Sequence, residues 1–192
     1  MQLCRNRQGV ASERVPRPHG FTLIELLVVI SVVAILLMFA APSLVTFVQK
    51  NRIVSEVSTF SADLKFARSE AMKRGQSVSL CPSSDGATCL GANSWQSGWI
   101  VFYDLNSTGA VDAAGDTVVR YRKGWTGGDT FVATPNLIAV TFGRIGFASN
   151  LSGRSVTLTA HAQTASAQTT QCVLLNPVGR QTVQTAGSGA CT

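Results

Sequence analysis

Charged residues are scarce in this sequence. Lys, Arg, Asp and Glu together make up 14% of its 192 residues, whereas they make up about 25% of a typical soluble domain. The shortage is concentrated between positions 21 and 48, where Glu25 is the only charged residue. An apolar run of about 20 residues can cross a bilayer as a helix, so this segment predicts a membrane-spanning helix.

Histidine is scarcer still, and no set of residues is typical of a catalytic or metal site. The two histidines are His19 and His161, and a lone histidine without an evident partner is usually a surface residue. No two cysteines have the C-x-x-C spacing of a zinc site. We therefore expect no enzyme, no bound metal and no cofactor.

One segment resembles a calcium-binding loop in part. It reads D-L-N-S-T-G from position 104 to 109. A calcium loop carries Asp or Asn where this sequence has Thr108, and it ends on Glu where this sequence has Gly115. We interpret the segment as a solvated turn between strands.

Four of the five cysteines lie in the C-terminal part of the chain. Cys81, Cys89, Cys172 and Cys191 allow three pairings. Disulfides are typical of exported domains, and we expect pairing between sequence neighbours, Cys81 with Cys89 and Cys172 with Cys191. Each bond would contribute on the order of 2–4 kcal/mol.

The formal net charge of +6 is divided evenly between a short segment and the rest of the chain. The first 20 residues carry four arginines and one glutamate, and the remainder carries 12 basic and 9 acidic residues, so that each part contributes +3. So small an excess of basic residues does not by itself indicate that the protein binds nucleic acid, because the relevant signal is a basic face. The N-terminal arginines would hold that side of the apolar run in the cytoplasm and leave the C-terminal part outside.

Three other interpretations of the apolar run remain open. They are a secretory signal removed near Ala40, a plain single-pass anchor, and a buried helix of a soluble protein. The helical pattern continues past the run, which speaks against the first. Glu25 speaks against the second, because a carboxylate inside a membrane costs about 2.5–3.5 kcal/mol. The length and the flanking arginines disfavour the third.

Beyond Pro42 the helix is expected to become amphipathic. Apolar residues recur at three-, four- and seven-residue steps, the period of a helix with one buried face. Charged residues between them, among them Asp63, are expected to face water, and Gly75 is a typical helix stop. The predicted buried positions are Phe47, Val54, Val57, Phe60, Leu64, Ala67 and Ala71.

The remainder of the chain is rich in β-branched and aromatic residues, in short runs separated by turn clusters. The runs are 78–80, 98–102, 117–121, 138–142, 155–159 and 172–175. We therefore predict an α+β fold, in which a long N-terminal helix packs on a C-terminal antiparallel β-sheet or sandwich.

The junction of the basic segment and the apolar run carries a specific motif. Residues 20–30 read G-F-T-L-I-E-L-L-V-V-I, which resembles the class III signal of type IV pilins and type II secretion pseudopilins. The resemblance implies that a prepilin peptidase cleaves between Gly20 and Phe21 and N-methylates Phe21, and that Pro42 bends the helix. The chain then divides into a leader (1–20), a transmembrane or filament-core helix (21–47), an amphipathic helix (48–74) and a periplasmic β domain (75–192).

Glu25 has a role in this resemblance that electrostatics supports. A carboxylate in hydrocarbon needs a cationic partner, and cleavage exposes the α-amine of Phe21 one helical turn from Glu25. We expect Glu25 of an incoming subunit to pair with the amine of a subunit already in the filament, which fixes their register. The alternative is a side chain that only reaches the membrane interface.

The C-terminal part is similar to FimT/FimU-type minor pilins and to the H pseudopilin of type II secretion. The similarity rests on segments 67–75, 78–81, 98–104, 142–147 and 172–191, in this order. It implies a minor pilin that primes a type IV pilus at its tip or, alternatively, the pseudopilin of a secretion system. The implied partners are other minor pilins or pseudopilins, the major pilin, the prepilin peptidase and the assembly platform of the inner membrane.

DNA is a further partner that the similarity implies. FimT-type minor pilins of natural transformation are associated with DNA binding through a Gly-Arg-x-Arg motif near the C-terminus. This chain reads G-R-Q-T from position 179 to 182, so the second arginine is missing, and phosphate binding gains from several cations together. Arg120, Arg122 and Lys123 would assist Arg180 only if the fold places them on one face. A structural turn is our default interpretation.

Overall fold

The structure, a computed structural model, describes residues 20–112 and 115–191, with the side chains of residues 39–42 outside that description. One long helix, α1, spans Leu23–Arg74, and eight strands follow it in the described part. This is the predicted α+β architecture. The proposed leader, except Gly20, lies outside the described residues. The strands are β1 (Val78–Pro82), β2 (Gly98–Tyr103), β3 (Thr117–Lys123), β4 (Thr130–Thr134), β5 (Val140–Phe142), β6 (Val156–His161), β7 (Thr170–Leu175) and β8 (Gln181–Thr185).

The strands form two four-stranded antiparallel sheets. The first has the order β3-β2-β1-β5 and the second has the order β4-β6-β7-β8. In the first sheet the register of β2 and β3 shifts between Val101 and Phe102, so β3 carries one extra residue there, a β-bulge. The edge strands are therefore β3 and β5 in one sheet and β4 and β8 in the other.

Helix α1 and both sheets share one hydrophobic core. Phe60 lies at its centre, with its ring centroid 5.3 Å from Trp95, 5.2 Å from Trp99 and 4.9 Å from Phe131, in edge-to-face contacts. Each such pair adds about 0.5–1.5 kcal/mol beyond the burial of area. The buried face of the helix consists of Ile53, Val57, Phe60, Leu64, Ala67 and Ala71.

Three positions on α1 differ from the sequence prediction. Phe47 is 62% exposed and Val54 is only half-buried, because the buried face begins at Ile53. A helix turns by about 100° per residue, so a shift of one position changes the face. The prediction for Asp63 was also wrong, since its side chain is buried rather than facing water.

The end of α1 agrees with the sequence. The helix ends at Arg74, and Gly75 follows with a φ of +67°, in the left-handed region that glycine adopts at little cost. The N–H of Gly75 donates to the carbonyl of Ala71 at 3.0 Å. By contrast, β4 and β8 were not predicted at all.

The chain divides into two compact units at Ala41 and Pro42. The described part of the first unit is the apolar segment 20–41. The second unit contains the rest of α1, both sheets and the core. By length and composition, no single helix within residues 20–112 and 115–191 qualifies as a membrane span, whereas segments Leu23–Met38 and Ser43–Arg74 qualify together as one bent pair.

Candidate functional site

The helix of the first unit presents apolar side chains to its surroundings. Between positions 21 and 38 its large apolar side chains are 47% to 83% exposed. Soluble monomers rarely expose so large a continuous apolar surface. A helix that is apolar all round is typical of a membrane span or of the interior of an assembly.

Glu25 is the one acid of this segment and lies in the first turn of α1. The hydroxyl of Thr22 accepts a hydrogen bond from the backbone N–H of Glu25 at 3.2 Å. Thr22 is therefore the N-cap and Glu25 the third helical residue, where the helix dipole favours a carboxylate. The Glu25 side chain is exposed, so a cation of another molecule can reach it.

The proposed cleavage site precedes this cap. Gly20 and Phe21 lie before the first helical residue and are both exposed. A peptidase can therefore reach the bond between them without unwinding the helix. Pro42, the predicted bend, lies within the bounds of α1, but its side chain is outside the described part.

Asp63 joins α1 to the first sheet. Its carboxylate accepts hydrogen bonds from Arg120 Nη1 at 2.9 Å, from Arg122 Nε at 2.9 Å and from Trp99 Nε1 at 3.1 Å. Burial by itself raises the pKa of this carboxyl, but the hydrogen bonds from its three donors outweigh burial and hold the pKa below its ordinary value. A buried carboxylate is thus fully paired rather than left without a partner.

The contacts of Asp63 engage two of the basic residues of β3. Arg120 and Arg122, two of the candidate DNA-binding cations, already neutralise Asp63. The guanidinium of Arg120 also lies over the ring of Phe66, 3.4 Å from its centroid, in a cation–π contact. Lys123 at the end of the strand is exposed. Two of these three side chains therefore have a structural role.

The G-R-Q-T segment covers the end of the turn between β7 and β8, at Gly179 and Arg180, and the first two residues of β8. The Asn176 N–H donates to the Arg180 carbonyl at 3.0 Å, and the Arg180 N–H donates to Asn176 Oδ1 at 2.8 Å. Gly179 has a φ of +75°, and a Cβ there would lie 2.2 Å from the carbonyl oxygen of Gly146. Only glycine permits both the backbone conformation and this close approach.

Arg68 fixes this turn, although the sequence analysis did not single it out as functional. Its Nε donates to the Gly146 carbonyl at 2.9 Å and its Nη2 donates to the Val178 carbonyl at 3.1 Å. The Arg180 side chain is exposed. Arg180 thus follows a turn of the second sheet, while Arg120 and Arg122 belong to the edge of the first sheet.

The segment after β2 is a turn whose residues 105–108 are exposed, as predicted, but its first residue is not solvated. Asp104 is fully buried, and it accepts hydrogen bonds from the Ser79 hydroxyl at 2.6 Å and from the backbone N–H groups of Thr108 and Gly109 at 3.0 and 2.8 Å. Its oxygens are used to hold the loop. Within residues 20–112 and 115–191, no three His, Cys, Asp or Glu side chains are grouped to hold a metal ion.

The described part of the chain contains two disulfides, Cys81–Cys89 and Cys172–Cys191. Both join neighbours in sequence. The first holds the loop that follows β1, and the second ties the end of the described chain to β7. Each closes a short loop, which restricts the unfolded chain and so favours the folded one.

Several solved structures resemble this one. The type IV minor pilin FimU of Pseudomonas aeruginosa (strain PAO1) matches with a TM-score of 0.55 and 19% identity, over 72% of this chain and 92% of FimU. A second crystal form of FimU gives 0.50 and 20% identity, over 68% and 90%. The minor pseudopilin EpsH from the type 2 secretion system of Vibrio cholerae gives 0.49 and 12% identity, over 71% and 99%. At these identities the likeness to FimU shows a shared fold.

Family models match both parts of the chain. Residues 16–41 match the prokaryotic N-terminal methylation motif, which includes Gly20, Phe21 and Glu25. Residues 56–179 match the model described as type II transport protein GspH, and this match covers more than half of the chain, from the buried face of α1 to the turn before β8. The chain therefore belongs to the GspH family of pilin-like proteins.

Proposed function

We propose that this chain is a minor pilin that primes the assembly of a type IV pilus at its tip. A prepilin peptidase removes residues 1–20 and methylates the amine of Phe21. The apolar helix holds the subunit in the inner membrane and then packs in the filament core, while the β domain faces the periplasm and finally the exterior. The role is structural, and no step of it needs a cofactor.

The observation that carries this proposal is a single exposed acid on an otherwise apolar, exposed helix. Once the filament leaves the membrane, packing that helix against others keeps its apolar area out of water, which is favourable by about 25 cal/mol per Å². The carboxylate of Glu25 opposes the packing unless a cation meets it. The α-amine of Phe21 on a neighbouring subunit supplies that cation, so that only one register combines apolar packing with a paired charge.

The H pseudopilin of a type II secretion system is the second candidate function. The match of residues 56–179 to the GspH model supports it. The fold that the chain shares with the type IV minor pilin FimU makes the pilus the first candidate. Both candidates use the same assembly step, so they differ in the neighbouring subunits and not in the role of Glu25.

DNA uptake is a weaker third candidate. The exposed Arg180 supports it, but Arg120 and Arg122 are engaged by Asp63. A duplex-binding face draws its affinity from several phosphate contacts together. We therefore place DNA binding below both assembly roles.

The assembly role is tested with Glu25 variants produced in the native bacterium. Glu25→Gln removes the charge and Glu25→Asp keeps it, while Ser31→Ala changes a neighbouring polar position of the same helix as a control. The amount of each variant is compared in membranes and in filaments sheared from the cells. We expect Glu25→Gln to reach membranes normally but to fall about tenfold or more in filaments, the effect of losing a paired charge.

Equal incorporation of Glu25→Gln and the wild-type chain would contradict the proposed role. Ser31→Ala should behave as wild type, and Glu25→Asp should be retained better than Glu25→Gln. Deletion of the gene separates the two assembly systems. Loss of surface pili identifies a minor pilin, whereas periplasmic accumulation of proteins that are normally secreted identifies a pseudopilin.

A further inference from the structure

The four edges of the two sheets are protected to different degrees against pairing with another strand. An edge strand presents unpaired N–H and C=O groups that can pair with another chain, and natural proteins usually block such edges. On β4, the N–H and C=O of Ala133 are bound by the side chain of Asn93 at 2.9 and 2.8 Å. The N–H of Phe131 is bound by Gln96 Oε1 at 3.2 Å. Side chains therefore cover the free edge of β4.

The two edges of the first sheet are blocked as well. On β5, the Thr141 N–H donates to Asn150 Oδ1 at 2.9 Å, and the Thr141 carbonyl accepts from the Ser149 N–H at 2.9 Å. On β3, a bulge interrupts the register, and the strand carries three cationic residues between positions 120 and 123. Bulges and edge charges are both devices that prevent further strand pairing.

Strand β8 has none of these devices. It reads Q-T-V-Q-T from position 181 to 185, with no charge and no proline. It pairs with β7 over its whole length without a register shift. Val183 at its centre is 47% exposed, and Thr185 is exposed too.

The hydrogen-bond pattern shows which backbone groups of β8 face outward. In an antiparallel pair, hydrogen-bonded and non-hydrogen-bonded residue pairs alternate. The Asn176 N–H donates to the Arg180 carbonyl, and the Ala186 N–H donates to the Thr170 carbonyl, so even-numbered residues of β8 bond to β7. The N–H and C=O of Gln181 and Val183 therefore point away from β7. In the part of the chain that the structure describes, neither residue makes a further backbone hydrogen bond.

We propose that the free edge of β8 binds an extended strand of a neighbouring subunit of the same filament. The chemistry that recognises this partner is the row of backbone N–H and C=O groups at Gln181 and Val183, as in β-strand addition generally. The partner strand needs no charged side chain to match positions 181–185, because β8 itself carries none. This inference rests on the proposed function, because the filament supplies the neighbouring subunit.

The position of β8 suits such a contact. The Gln181 side chain donates from Nε2 to the carbonyl and to the hydroxyl of Ser61 on α1, at 2.6 and 2.8 Å. The Cys172–Cys191 disulfide holds the segment that follows β8 onto β7. The edge is thus fixed from both ends before a partner arrives, which lowers the entropic cost of binding.

The test uses the full chain in membranes of the native bacterium. A photo-crosslinking residue is placed at Thr185, next to the proposed contact. Val183→Pro is then added, which removes the outward N–H and leaves the hydrogen bonds between β8 and β7 in place, since proline is tolerated at an edge strand when its nitrogen faces solvent. Val183→Ala is the matched control, because it shortens the side chain and keeps the N–H. Thermal unfolding of both variants checks that the domain remains folded.

Two further crosslinker positions make the result specific. Val132 is an exposed residue of β4, whose edge is covered, and Val32 lies on the apolar helix and reports filament membership alone. We expect the Thr185 position to crosslink to a β-strand of another subunit whose gene encodes a prepilin leader, identified by mass spectrometry. Val183→Pro should lower this product about tenfold or more, and Val183→Ala should change it far less. The Val132 position should give no such product.

Two outcomes would overturn the inference. Crosslinks from Val32 without any from Thr185 would show a filament subunit whose β8 edge is free. A Thr185 product that Val183→Pro leaves unchanged would show a contact that does not use the backbone edge. Absence of crosslinks from both Val32 and Thr185 would instead contradict the proposed function itself, together with the inference that rests on it.

Discussion

Asp63 and Arg122 connect the C-terminal half of helix α1 to an edge strand of the first sheet, with 2.9 Å between Oδ2 and Nε. Arg120 and Trp99 complete the environment of the carboxylate. The pair lies at the interface between helix α1 and the first sheet. Both partners therefore determine how firmly the sheet is held on the helix.

Replacement of Asp63 by Asn should destabilise the domain. The loss of one partner of a buried pair typically costs 3–5 kcal/mol, but the side chains of Arg120 and Arg122 are 37% and 44% exposed and can be solvated. We therefore expect the free energy of unfolding to fall by about 2 kcal/mol. Chemical denaturation of residues 42–192 measures this, with Lys65→Gln on the exposed face as a control. A change within about 0.5 kcal/mol, the range of ordinary surface substitutions, would contradict the role of Asp63.

The same carboxylate predicts a pH dependence. The folded-state pKa of Asp63 is lowered, so its contribution is complete above the ordinary pKa of about 4 and is lost as the pH falls through the folded-state value. The wild-type domain should therefore lose stability below about pH 4 more steeply than Asp63→Asn. Parallel curves of unfolding midpoint against pH for the two proteins would count against the pairing.

Glu56 predicts the opposite dependence of the domain's stability on pH. Burial is the main cause that raises the pKa of its carboxyl, the charge of Asp129 adds to it, and Arg52 opposes it. The stability that depends on Glu56 is present below its ordinary pKa and is lost as the pH rises through the raised value. Glu56→Gln should thus stabilise the domain at neutral pH, by less than about 1 kcal/mol.

Glu70, on the same helix, provides the control for the Glu56 prediction. The hydrogen bond from Arg74 is the main cause that lowers the pKa of Glu70, and Tyr103 and Lys73 assist. Its contribution is therefore present above its ordinary pKa and is lost in acid. Glu70→Gln should lower the unfolding midpoint at neutral pH. If the two Gln variants shift the midpoint in the same direction, the assignment is wrong.

Gly179 should tolerate no side chain. Its φ is +75°, and a Cβ would lie 2.2 Å from the Gly146 carbonyl oxygen, so Gly179→Ala adds a steric clash to backbone strain. We expect a loss of about 3 kcal/mol. Gly75 is the matched control, because it has a φ of +67° with nothing within 4 Å of the added Cβ. Gly75→Ala should cost only about 1 kcal/mol, and equal losses in calorimetry would show that the contact with Gly146 is unimportant.

The basic residues predict weak, sequence-independent binding of DNA at most. With Arg120 and Arg122 engaged by Asp63, Arg180 and Lys123 remain of the candidate cations, and they lie at different sheets. Fluorescence anisotropy with duplex DNA at several salt concentrations should give a slope of log K against log salt near −1, about one phosphate contact. A slope of about −4 or steeper that Arg180→Ala reduces would contradict this view and favour a role in DNA uptake.

The sequence predicts much of the fold because its signals there are local. The apolar run, the helical period and Gly75 mark α1, and runs of β-branched residues mark six of the strands. Strand β4 was missed because it is short and lies between Gly127-Gly128 and Pro135, which indicate turns. Strand β8 was missed because its polar residues form a strand only through pairing with β7, which lies on the other side of a turn.

The sequence likewise predicts only part of the candidate site. The motif from Gly20 to Glu25 is contiguous, so the sequence alone identifies it. Asp63 was assigned to the solvent face because charged residues of amphipathic helices usually lie there. Its partners Arg120 and Arg122 are nearly 60 positions away in the chain, and only the folded structure brings them to it. Pairing over such distances leaves no periodic pattern in a single sequence.

The most direct measurement is the N-terminal residue of the mature protein, purified from membranes of the native bacterium and analysed by mass spectrometry. A filament subunit that pairs Glu25 with a neighbour's amine requires a chain that begins at Phe21, and the match to the methylation motif predicts one methyl group on that nitrogen. That N-terminus is the expected result. A chain that retains residues 1–20, or one cleaved near Ala40 so that Glu25 is lost, would contradict the proposed assembly.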